Sequence, residues 1–288
     1  MHTHHKDIAI LYHGGCPDGF GAAYAAWKKF ADEAEYIPLD HGGPVPGNLD
    51  GRTLYMMDFS YSKKIMSQLA SKAAKFVVLD HHLGAKDAVV SMPEHVFDEN
   101  RSGATIAWSY FHPNTPIPLM LQYIEDGDLY RFNLPDARAI LICLSTKPFN
   151  FESWNAFAEQ IADETTRAHI VEKGSVYREY FSILIEQMAK KALLVNFEGM
   201  ECLLVSAPGG FKSDVGHLLS ELKPPLGIVV GLRGDIVNVS LRSDFSIDVA
   251  AIARKYGGNG HPQAAGFKIN WGDPLPWTVV EEYENSSD

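Results

Sequence analysis

Three side chains that can bind metal, Asp80-His81-His82, directly follow four apolar residues at positions 76–79. The apolar run contains two valines and predicts a short buried strand that ends where the acid and the histidines begin. In an open parallel sheet, ligands bind at the carboxyl ends of the strands. The sequence therefore predicts a site for metal and phosphate at the end of this strand.

Two other apolar runs end in the same way. Residues 8–12 lead to His13 and then to Asp18, and residues 53–57 lead to Asp58. Imidazole and carboxylate groups suit Mn²⁺ or Mg²⁺, and two such ions can activate a water and hold a phosphoryl group for in-line attack. The pattern predicts hydrolysis of a phosphoester or a phosphoanhydride by metal-activated water.

Asp126 is the remaining member of the predicted set of metal ligands. It lies in the acidic segment at positions 125–128, directly after a helical apolar run. Buried carboxylates at a helix end need a cation among them, which a metal would provide; a solvated acidic turn is the alternative. The whole set is His13, Asp18, Asp58, His81 and Asp126. Within it, Asp58 is the best candidate to bridge two ions, because its strand is predicted to lie between the other two.

Nucleophilic catalysis by the protein itself has little support in the sequence. It contains no Ser-His-Asp signature and no P-loop. Cys16 is a conceivable thiolate nucleophile, but no ordered base is evident for it. The cysteines Cys16, Cys143 and Cys202 show no C-x-x-C spacing, which argues against a disulfide framework or a structural zinc ribbon.

Composition limits the class of protein and of partner. At 288 residues and 46% apolar composition the chain can bury a sizeable core, and we expect two domains. It has no run near the roughly 20 apolar residues that span a bilayer, and its start lacks the apolar core of a secretion signal, so a cytoplasmic protein without a membrane partner is expected. The net charge of −11 disfavours long duplex nucleic acid, so a nucleic-acid substrate should be short. The sequence does not indicate the oligomeric state.

Strand, helix and strand alternate through the N-terminal half, which predicts right-handed crossovers and a mostly parallel sheet with flanking helices. One helix is predicted just beyond Asp18 and another after Ser102, its N-cap. Either helix start is a candidate anion site, although capping alone is the alternative for Ser102. His41, in a turn-rich loop, either faces the site or is simply solvated.

The C-terminal half has a different pattern. Apolar spacing from residue 149 to about residue 195 predicts one or two helices, and a smaller α/β domain should follow. Its predicted strands are residues 200–206, 226–232 and 236–241. The domain boundaries expected from this are 1–148 for the metal-binding domain, 149–195 for a helical connector and 196–288 for the second domain. A glycine-rich segment around His261 would allow close backbone approach to a ligand.

The motifs occur in a recognisable order along nearly the whole chain. They are His13 with Cys16-Pro17-Asp18-Gly19, Asp58, Asp80-His81-His82, Asp126, and Gly257-Gly258-Asn259-Gly260-His261 with Ala264-Ala265-Gly266. This order resembles the DHH phosphoesterase superfamily, and the C-terminal part resembles its DHH-associated domain. The branch that it resembles most contains nano-RNases and cyclic-nucleotide phosphodiesterases.

The resemblance implies a role for each matching residue. One or two ions of Mn²⁺ or Mg²⁺ would be bound by the set given above, with Asp58 bridging and with Asp128 as the alternative to Asp126. His82 would face the scissile phosphate and Asp80 would orient an imidazole. The implied substrate-binding residues of the C-terminal domain are Arg242, Gly257, Gly258, Gly260 and His261. The active site would lie in the cleft between the domains.

One position departs from the family pattern. Many members carry a further aspartate, a ligand of the second metal, where this chain has Phe20. The expected consequence is a second ion with fewer protein ligands, or one tightly bound ion.

The predicted function is hydrolysis of phosphodiester bonds in short oligonucleotides or small nucleotides, of the phosphodiesterase or 3′–5′ exonuclease type. An inorganic pyrophosphatase or polyphosphatase is the alternative enzyme. A non-catalytic nucleotide-binding module is the alternative outside the enzymes.

Overall fold

The structure is a computed structural model and describes residues 5–40 and 42–282. It divides into two compact units, the first ending at Arg178 and the second beginning at Glu179. The division falls inside the segment 149–195, and the domain boundaries stay a prediction. His41 lies outside the described residues. No helix in the described part of the chain is long and apolar enough to cross a membrane.

The first unit is built on a parallel sheet. Its strands, within the described residues, are β1 (Ile8–His13), β2 (Ala34–Leu39), β3 (Thr53–Met57), β4 (Lys75–Asp80) and β5 (Glu94–Phe97). They lie in the order β2-β1-β3-β4-β5, and every pair is parallel. Ile8 pairs with Thr53, and Thr53 pairs with Lys75. The carboxyl ends of β1, β3 and β4 are therefore adjacent, as the sequence predicts.

Helices cover both faces of this sheet. They are α1 (Pro17–Phe30), α2 (Lys63–Lys72), α3 (Lys86–Val90), α4 (Gly103–Phe111), α5 (Leu119–Asp128), α6 (Ala137–Ser145), α7 (Phe151–Ala162) and α8 (Glu164–Ala189), which contains the point of division. Strand residues alternate between two cores, as the period of a strand requires. Ile10 packs in the core that contains α1, α4 and α5, and Leu11 packs in the core that contains α2 and α3.

The second unit contains a mixed sheet between helices. The strands among its described residues are β6 (Leu193–Phe197), β7 (Met200–Ser206), β8 (Leu226–Arg233), β9 (Ile236–Ser243), β10 (Asn259–His261), β11 (Ala264–Asn270) and β12 (Trp277–Glu282). Their order is β10-β11-β9-β8-β7-β6-β12, with β7 and β8 parallel. The helices α9 (Lys212–Leu222) and α10 (Val249–Lys255) pack on opposite faces, against Val229 and Ile228 respectively.

The predicted fold class, a parallel α/β domain followed by a smaller α/β domain, is confirmed. The three strands predicted for the second unit match β7, β8 and β9, and Gly234 takes a φ of 63° in the turn between β8 and β9. Strand β6 begins at Leu193, inside the predicted connector.

Candidate metal centre

Asp58 lies at the middle of the candidate site. It directly follows β3, and its φ of 53° places it in the left-handed region that few residues other than glycine adopt. Its Oδ2 lies 3.3 Å from Nδ1 of His13, and its Oδ1 lies 3.2 Å from Nε2 of His81. One buried carboxylate thus connects the side chains that end β1 and begin the loop after β4.

The same contacts determine the charge of Asp58. Burial by itself favours the neutral acid, but the hydrogen bonds with His13 and His81 outweigh it and lower the pKa of the Asp58 carboxyl group. The group is therefore an anion at neutral pH.

Three carboxylates surround one nitrogen of His81. Besides Asp58, the Oδ2 atoms of Asp18 and Asp128 lie 3.6 Å and 3.7 Å from His81 Nε2. Burial by itself would lower the pKa of His81. The hydrogen bond with Asp58 and the charges of Asp18 and Asp128 outweigh burial and raise this pKa to about 10. A protonated His81 offsets part of this negative charge, which is the role that a metal cation would take over.

Backbone N–H groups of α4 hold Asp18 in place. Its Oδ2 accepts a hydrogen bond from Gly103 N at 2.6 Å, and its Oδ1 accepts one from Ala104 N at 2.9 Å. The positive end of the helix dipole also favours a carboxylate here. A Cβ at position 103 would lie 2.6 Å from Asp58 Cβ and 3.0 Å from Asp18 Oδ2. Only glycine fits this contact without a shift of its neighbours.

The start of α4 is therefore occupied by carboxylates of the protein itself. The N–H group of Ser102 donates to Glu125 Oε2 at 3.0 Å, and the next two N–H groups donate to Asp18. Ser102 also caps the helix, because its Oγ accepts from Thr105 N. Capping, rather than phosphate binding, is the interpretation of Ser102 that the geometry favours.

The three acidic side chains at the end of α5 have different partners. Glu125 Oε2 accepts from Arg101 Nε at 2.8 Å, and the two Asp126 oxygens accept from Asn133 N and Leu134 N at 2.9 Å each. Asp128 is the acid that approaches His81. Residues two apart on a helix point to opposite sides. The structure does not bring Asp126 to the cluster, and the geometry favours the alternative, Asp128.

A second group of ligand atoms lies on the other side of Asp58. His13, Cys16 and Asp58 each offer one donor atom, and these atoms all lie within 4.8 Å of one another. Cys16 is the N-cap residue of α1, and the N–H of Gly19 in the first turn interacts with its thiol. Burial and the charges of Asp58, Asp18 and Asp128 raise the pKa of the Cys16 thiol well above its usual value. Cys16 is absent from the ligand set predicted from the sequence. Its position between His13 and Asp18 is the sequence signal that could have included it.

His82 and Asp80 form a pair beside the cluster. Asp80 Oδ1 lies 2.8 Å from His82 Nδ1 and accepts from the N–H groups of His81 and His82, and its Oδ2 accepts from Ser60 Oγ at 2.5 Å. Burial lowers the pKa of His82, but the hydrogen bond with Asp80 and the charges of Asp80 and Asp58 raise it to about 9. Asp80 thus fixes the orientation and the charge of His82.

Phe20 packs in the core, at the position where many members of the resembled family carry a metal-binding aspartate. It is 3% exposed and lies among aromatic rings, 5.0 Å from Phe151 and 4.8 Å from Trp154 between centroids. Because Asp18 and Phe20 are two residues apart on α1, they point to opposite sides of the helix. An aspartate at position 20 of this backbone would enter the core. The expectation of a second ion with fewer protein ligands, or of one tightly bound ion, stays a prediction.

The spacing of the donor atoms fits divalent cations. Ligands bound to one ion at about 2.1 Å lie roughly 3.0–3.5 Å from one another. The separations of Asp58 from His13 and His81, 3.3 Å and 3.2 Å, fall in this range, and those of Asp18 and Asp128 from His81, 3.6 Å and 3.7 Å, are slightly longer. Two neighbouring groups that share Asp58 could therefore each hold one ion.

The second unit places Arg242 and His261 in one row of its sheet. His261 pairs with Ala264, and Ala264 pairs with Arg242. Directly opposed residues of antiparallel strands share a face, so both side chains lie on the face that α9 covers. Arg242 Nη2 donates to Ser213 Oγ at 2.8 Å and Nη1 donates to Leu241 O at 2.8 Å.

The glycines of the predicted substrate loop differ in what they contact. A Cβ at Gly258 would lie 2.1 Å from Gly266 O, and one at Gly260 would lie 2.5 Å from Ala264 O. These two glycines let the chain pack against its own strand β11. Gly257, with a φ of 74°, has no heavy atom within 4 Å of such a Cβ among the described residues. Close packing of the hairpin explains two of the three glycines without a ligand.

Comparisons with known proteins agree with this architecture. Residues 202–275, which include Arg242 and His261, match the model of the DHHA1 domain. An uncharacterized protein of Acanthamoeba polyphaga mimivirus is 31% identical, in an alignment that covers 91% of this chain and 67% of that protein. The chain belongs to the DHH phosphoesterase superfamily. The predicted membership is confirmed.

Two solved structures resemble this chain in fold. The DHH domain of a member of a family of ribosomal proteins has a TM-score of 0.62 at 13% identity, covering 93% of this chain and 83% of that one. RecJ from Thermus thermophilus, in complex with Mn²⁺, has a TM-score of 0.50 at 15% identity, covering 91% of this chain and 49% of RecJ.

Proposed function

We propose that this DHH phosphoesterase hydrolyses phosphodiester bonds of short oligonucleotides or small nucleotides with the help of divalent cations. The observation that carries the proposal is the position of Asp58, whose two oxygens each approach a different histidine at 3.2–3.3 Å. A single carboxylate shared by two groups of ligands is suited to two neighbouring cations, and paired cations are suited to phosphoryl transfer.

The first unit would hold the cations. We assign one ion to His13 and Asp58, and the other to Asp18, Asp58, His81 and Asp128. Asp128 replaces Asp126 in this assignment because the oxygens of Asp126 are held by Asn133 N and Leu134 N. Bound ions would supply Lewis acidity to the phosphate and lower the pKa of a nearby water. Mn²⁺ and Mg²⁺ are the ions to test first, given the oxygen-rich ligand set.

His82 is the residue that we assign to the reacting phosphate. Its bond to Asp80 keeps a proton on Nδ1 and turns Nε2 away from that carboxylate. With a pKa of about 9, His82 is a cation at neutral pH. It would stabilise the negative charge that develops on the phosphate oxygens, and it would protonate the leaving oxygen. Asp80 acts through His82 as a positioning residue.

The second unit would supply substrate contacts. A guanidinium has five N–H donors, so Arg242 can keep its bonds to Ser213 and Leu241 and also bind a phosphate in the fork geometry. His261 lies on the same face, two strands away. We assign both residues to substrate binding, together with Gly257, Gly258 and Gly260. The net charge of −11 is a further reason to propose a short substrate.

A substrate panel tests the proposal. Purified protein is treated with chelator, supplied with Mn²⁺ or Mg²⁺, and assayed with dinucleotides, cyclic nucleotides, pyrophosphate and polyphosphate. We expect metal-dependent hydrolysis of a phosphodiester, lost in Asp58→Asn and retained in Asp87→Asn, a control at an exposed acid of α3.

Either of two results would contradict the proposal and lead to a different assignment. Preferred turnover of pyrophosphate or polyphosphate would assign an inorganic phosphatase. Binding of a dinucleotide without turnover, at any metal tested, would assign a nucleotide-binding module.

A further inference from the structure

The ligand group that contains Cys16 differs chemically from its neighbour. It offers one sulfur, one imidazole nitrogen and one carboxylate oxygen, from Cys16, His13 and Asp58. The group on the other side offers one imidazole nitrogen and carboxylate oxygens, from His81, Asp18 and Asp128. Asp58 belongs to the first group, and its other oxygen lies 3.2 Å from His81 of the second. The two groups would not prefer the same ion, because ligand softness selects among divalent metals.

The turn between β1 and α1 fixes the position of Cys16. A Cβ at Gly19 would lie 2.2 Å from His13 O and 2.7 Å from His13 Cβ, so the helix start packs tightly against the strand end. Pro17 follows at the first helical position, which suits a helix start. The backbone thus holds Cys16 and His13 on the same short turn, a few residues apart.

Helix capping accounts for only part of what the Cys16 thiol contacts. N-cap side chains usually accept a hydrogen bond from the first turn, which is why Ser, Thr, Asp and Asn are preferred there. Cys16 takes the N-cap backbone conformation, with φ −119° and ψ 135°, and the N–H of Gly19 in the first turn interacts with its sulfur. The same sulfur lies within 4.8 Å of the donor atoms of His13 and Asp58.

We propose that His13, Cys16 and Asp58 form a site for a thiophilic divalent cation such as Zn²⁺, Fe²⁺ or Co²⁺, while the neighbouring group takes Mn²⁺ or Mg²⁺. The proposal extends the ligand assignment of the proposed function and makes the centre heterometallic. Cys16 would bind as the thiolate, so each thiophilic ion bound releases one proton from the thiol to solvent. Since no electron is transferred, the step needs no oxidant or reductant.

Cobalt substitution tests the sulfur ligand directly, without any assay of activity. Reduced, metal-free protein is titrated with Co²⁺, and the near-ultraviolet region is followed for thiolate-to-cobalt charge transfer. We expect one equivalent of Co²⁺ to produce the band in the wild-type protein and in Cys143→Ala, a control at a buried cysteine of α6. We expect no band in Cys16→Ser. A wild-type protein without the band would overturn the proposal.

Metal competition gives the second readout. Equilibrium dialysis with Zn²⁺ and Mn²⁺ together should show one Zn²⁺ per chain that excess Mn²⁺ does not displace. Cys16→Ser should weaken this Zn²⁺ affinity by more than about 100-fold, because even residues that only orient a metal ligand cost about 10–100-fold. Cys16→Asp should restore binding at this site with a preference shifted to Mn²⁺.

The outcomes separate the two proposals. Unchanged Zn²⁺ affinity in Cys16→Ser would refute the sulfur ligand and leave the phosphodiesterase proposal intact. A cobalt band in a protein that hydrolyses nothing would support the sulfur ligand and count against the phosphodiesterase. If Cys16→Ser fails to fold, the wild-type cobalt spectrum and the Cys16→Asp dialysis still decide the question.

Discussion

The ligand groups on the two sides of Asp58 differ in solvent exposure and in the backbone hydrogen bonds that hold them. On one side, Asp18 and His81 are each 1% exposed, and α4 holds Asp18 by two backbone hydrogen bonds. On the other side, the His13 side chain is 23% exposed and Cys16 is half-buried. The Asp128 side chain, the third member of the group with Asp18 and His81, is 26% exposed. The same carboxylate therefore joins an oxygen-rich group with two buried members to a half-buried group that contains sulfur. Each side can be altered while the other is kept.

The largest effect is expected from Asp58→Asn, which alters both sides at once. The amide keeps the shape of the carboxylate but removes the charge that His13 and His81 approach. We expect kcat/KM to fall by about 1000-fold or more, equivalent to about 4 kcal/mol of transition-state stabilisation. Metal stoichiometry should fall as well, as measured by dialysis. Activity within tenfold of wild type would show that Asp58 is not the shared ligand.

A pair of variants on α5 distinguishes a residue that binds metal from a residue that only stabilises the fold. Asp128→Asn removes a carboxylate 3.7 Å from His81 and should lower activity about 100-fold with little change in melting temperature. Asp126→Asn places an amide where two backbone N–H groups donate, so it should lose about 1–3 kcal/mol of stability. Chemical denaturation and steady-state kinetics on both proteins measure the contrast. The reverse pattern would restore Asp126 as the ligand.

Gly103→Ala should damage the side of Asp18 and His81 more than the side of Cys16. The added Cβ would lie 2.6 Å from Asp58 Cβ, so α4 or the carboxylates must move. We expect a loss of about 1–3 kcal/mol of stability and a weaker Mn²⁺ affinity, with thiophilic metal binding less affected. Gly47→Ala is the matched control, since a Cβ there meets no atom within 4 Å in the described part of the chain. Equal loss at both metal sites would mean that the two sides are not separable.

The smallest expected effect is a pH dependence of the free energy of unfolding, measured in the presence of a chelator that removes metal. Burial and nearby carboxylates raise the pKa of Asp18, and carboxylates raise the pKa of His81 to about 10 and of His82 to about 9 against the effect of burial. A folded state that binds protons more tightly than the unfolded chain loses stability as pH rises. The free energy of unfolding should therefore fall between pH 7 and pH 10. Saturating Mn²⁺ should flatten the curve, and a curve that stays steep would argue against metal binding here.

Local pattern predicts the sheet and much of the centre. His13, Asp58 and His81 each follow a short apolar strand, so their convergence needs only that β1, β3 and β4 be adjacent and parallel. The contact of Asp18 with Gly103 and Ala104 joins positions 85 and 86 residues apart and depends on how α1 packs against α4. No short motif encodes that contact.

Helical phase decides what the sequence leaves open at the centre. Asp126 and Asp128 are equally acidic in the sequence, and only the rotation of α5 places Asp128 near His81. The same argument applies to Phe20, which lies on the core side of α1. The sequence does not require Cys16 among the ligands, because imidazole and carboxylate already satisfy the expected metal chemistry. Only the fold shows that its sulfur lies within 4.8 Å of the donor atoms of His13 and Asp58.

The tight approach of Gly103 to two acids has a consequence for related chains. A side chain at this position would collide with the residue at 58 and crowd the oxygen at 18, so we expect the three positions to vary together in related chains. A homologous sequence that keeps both aspartates but carries a bulky residue in place of the glycine must have rebuilt the backbone there. That single position offers a way to sort newly sequenced relatives before any of them is purified.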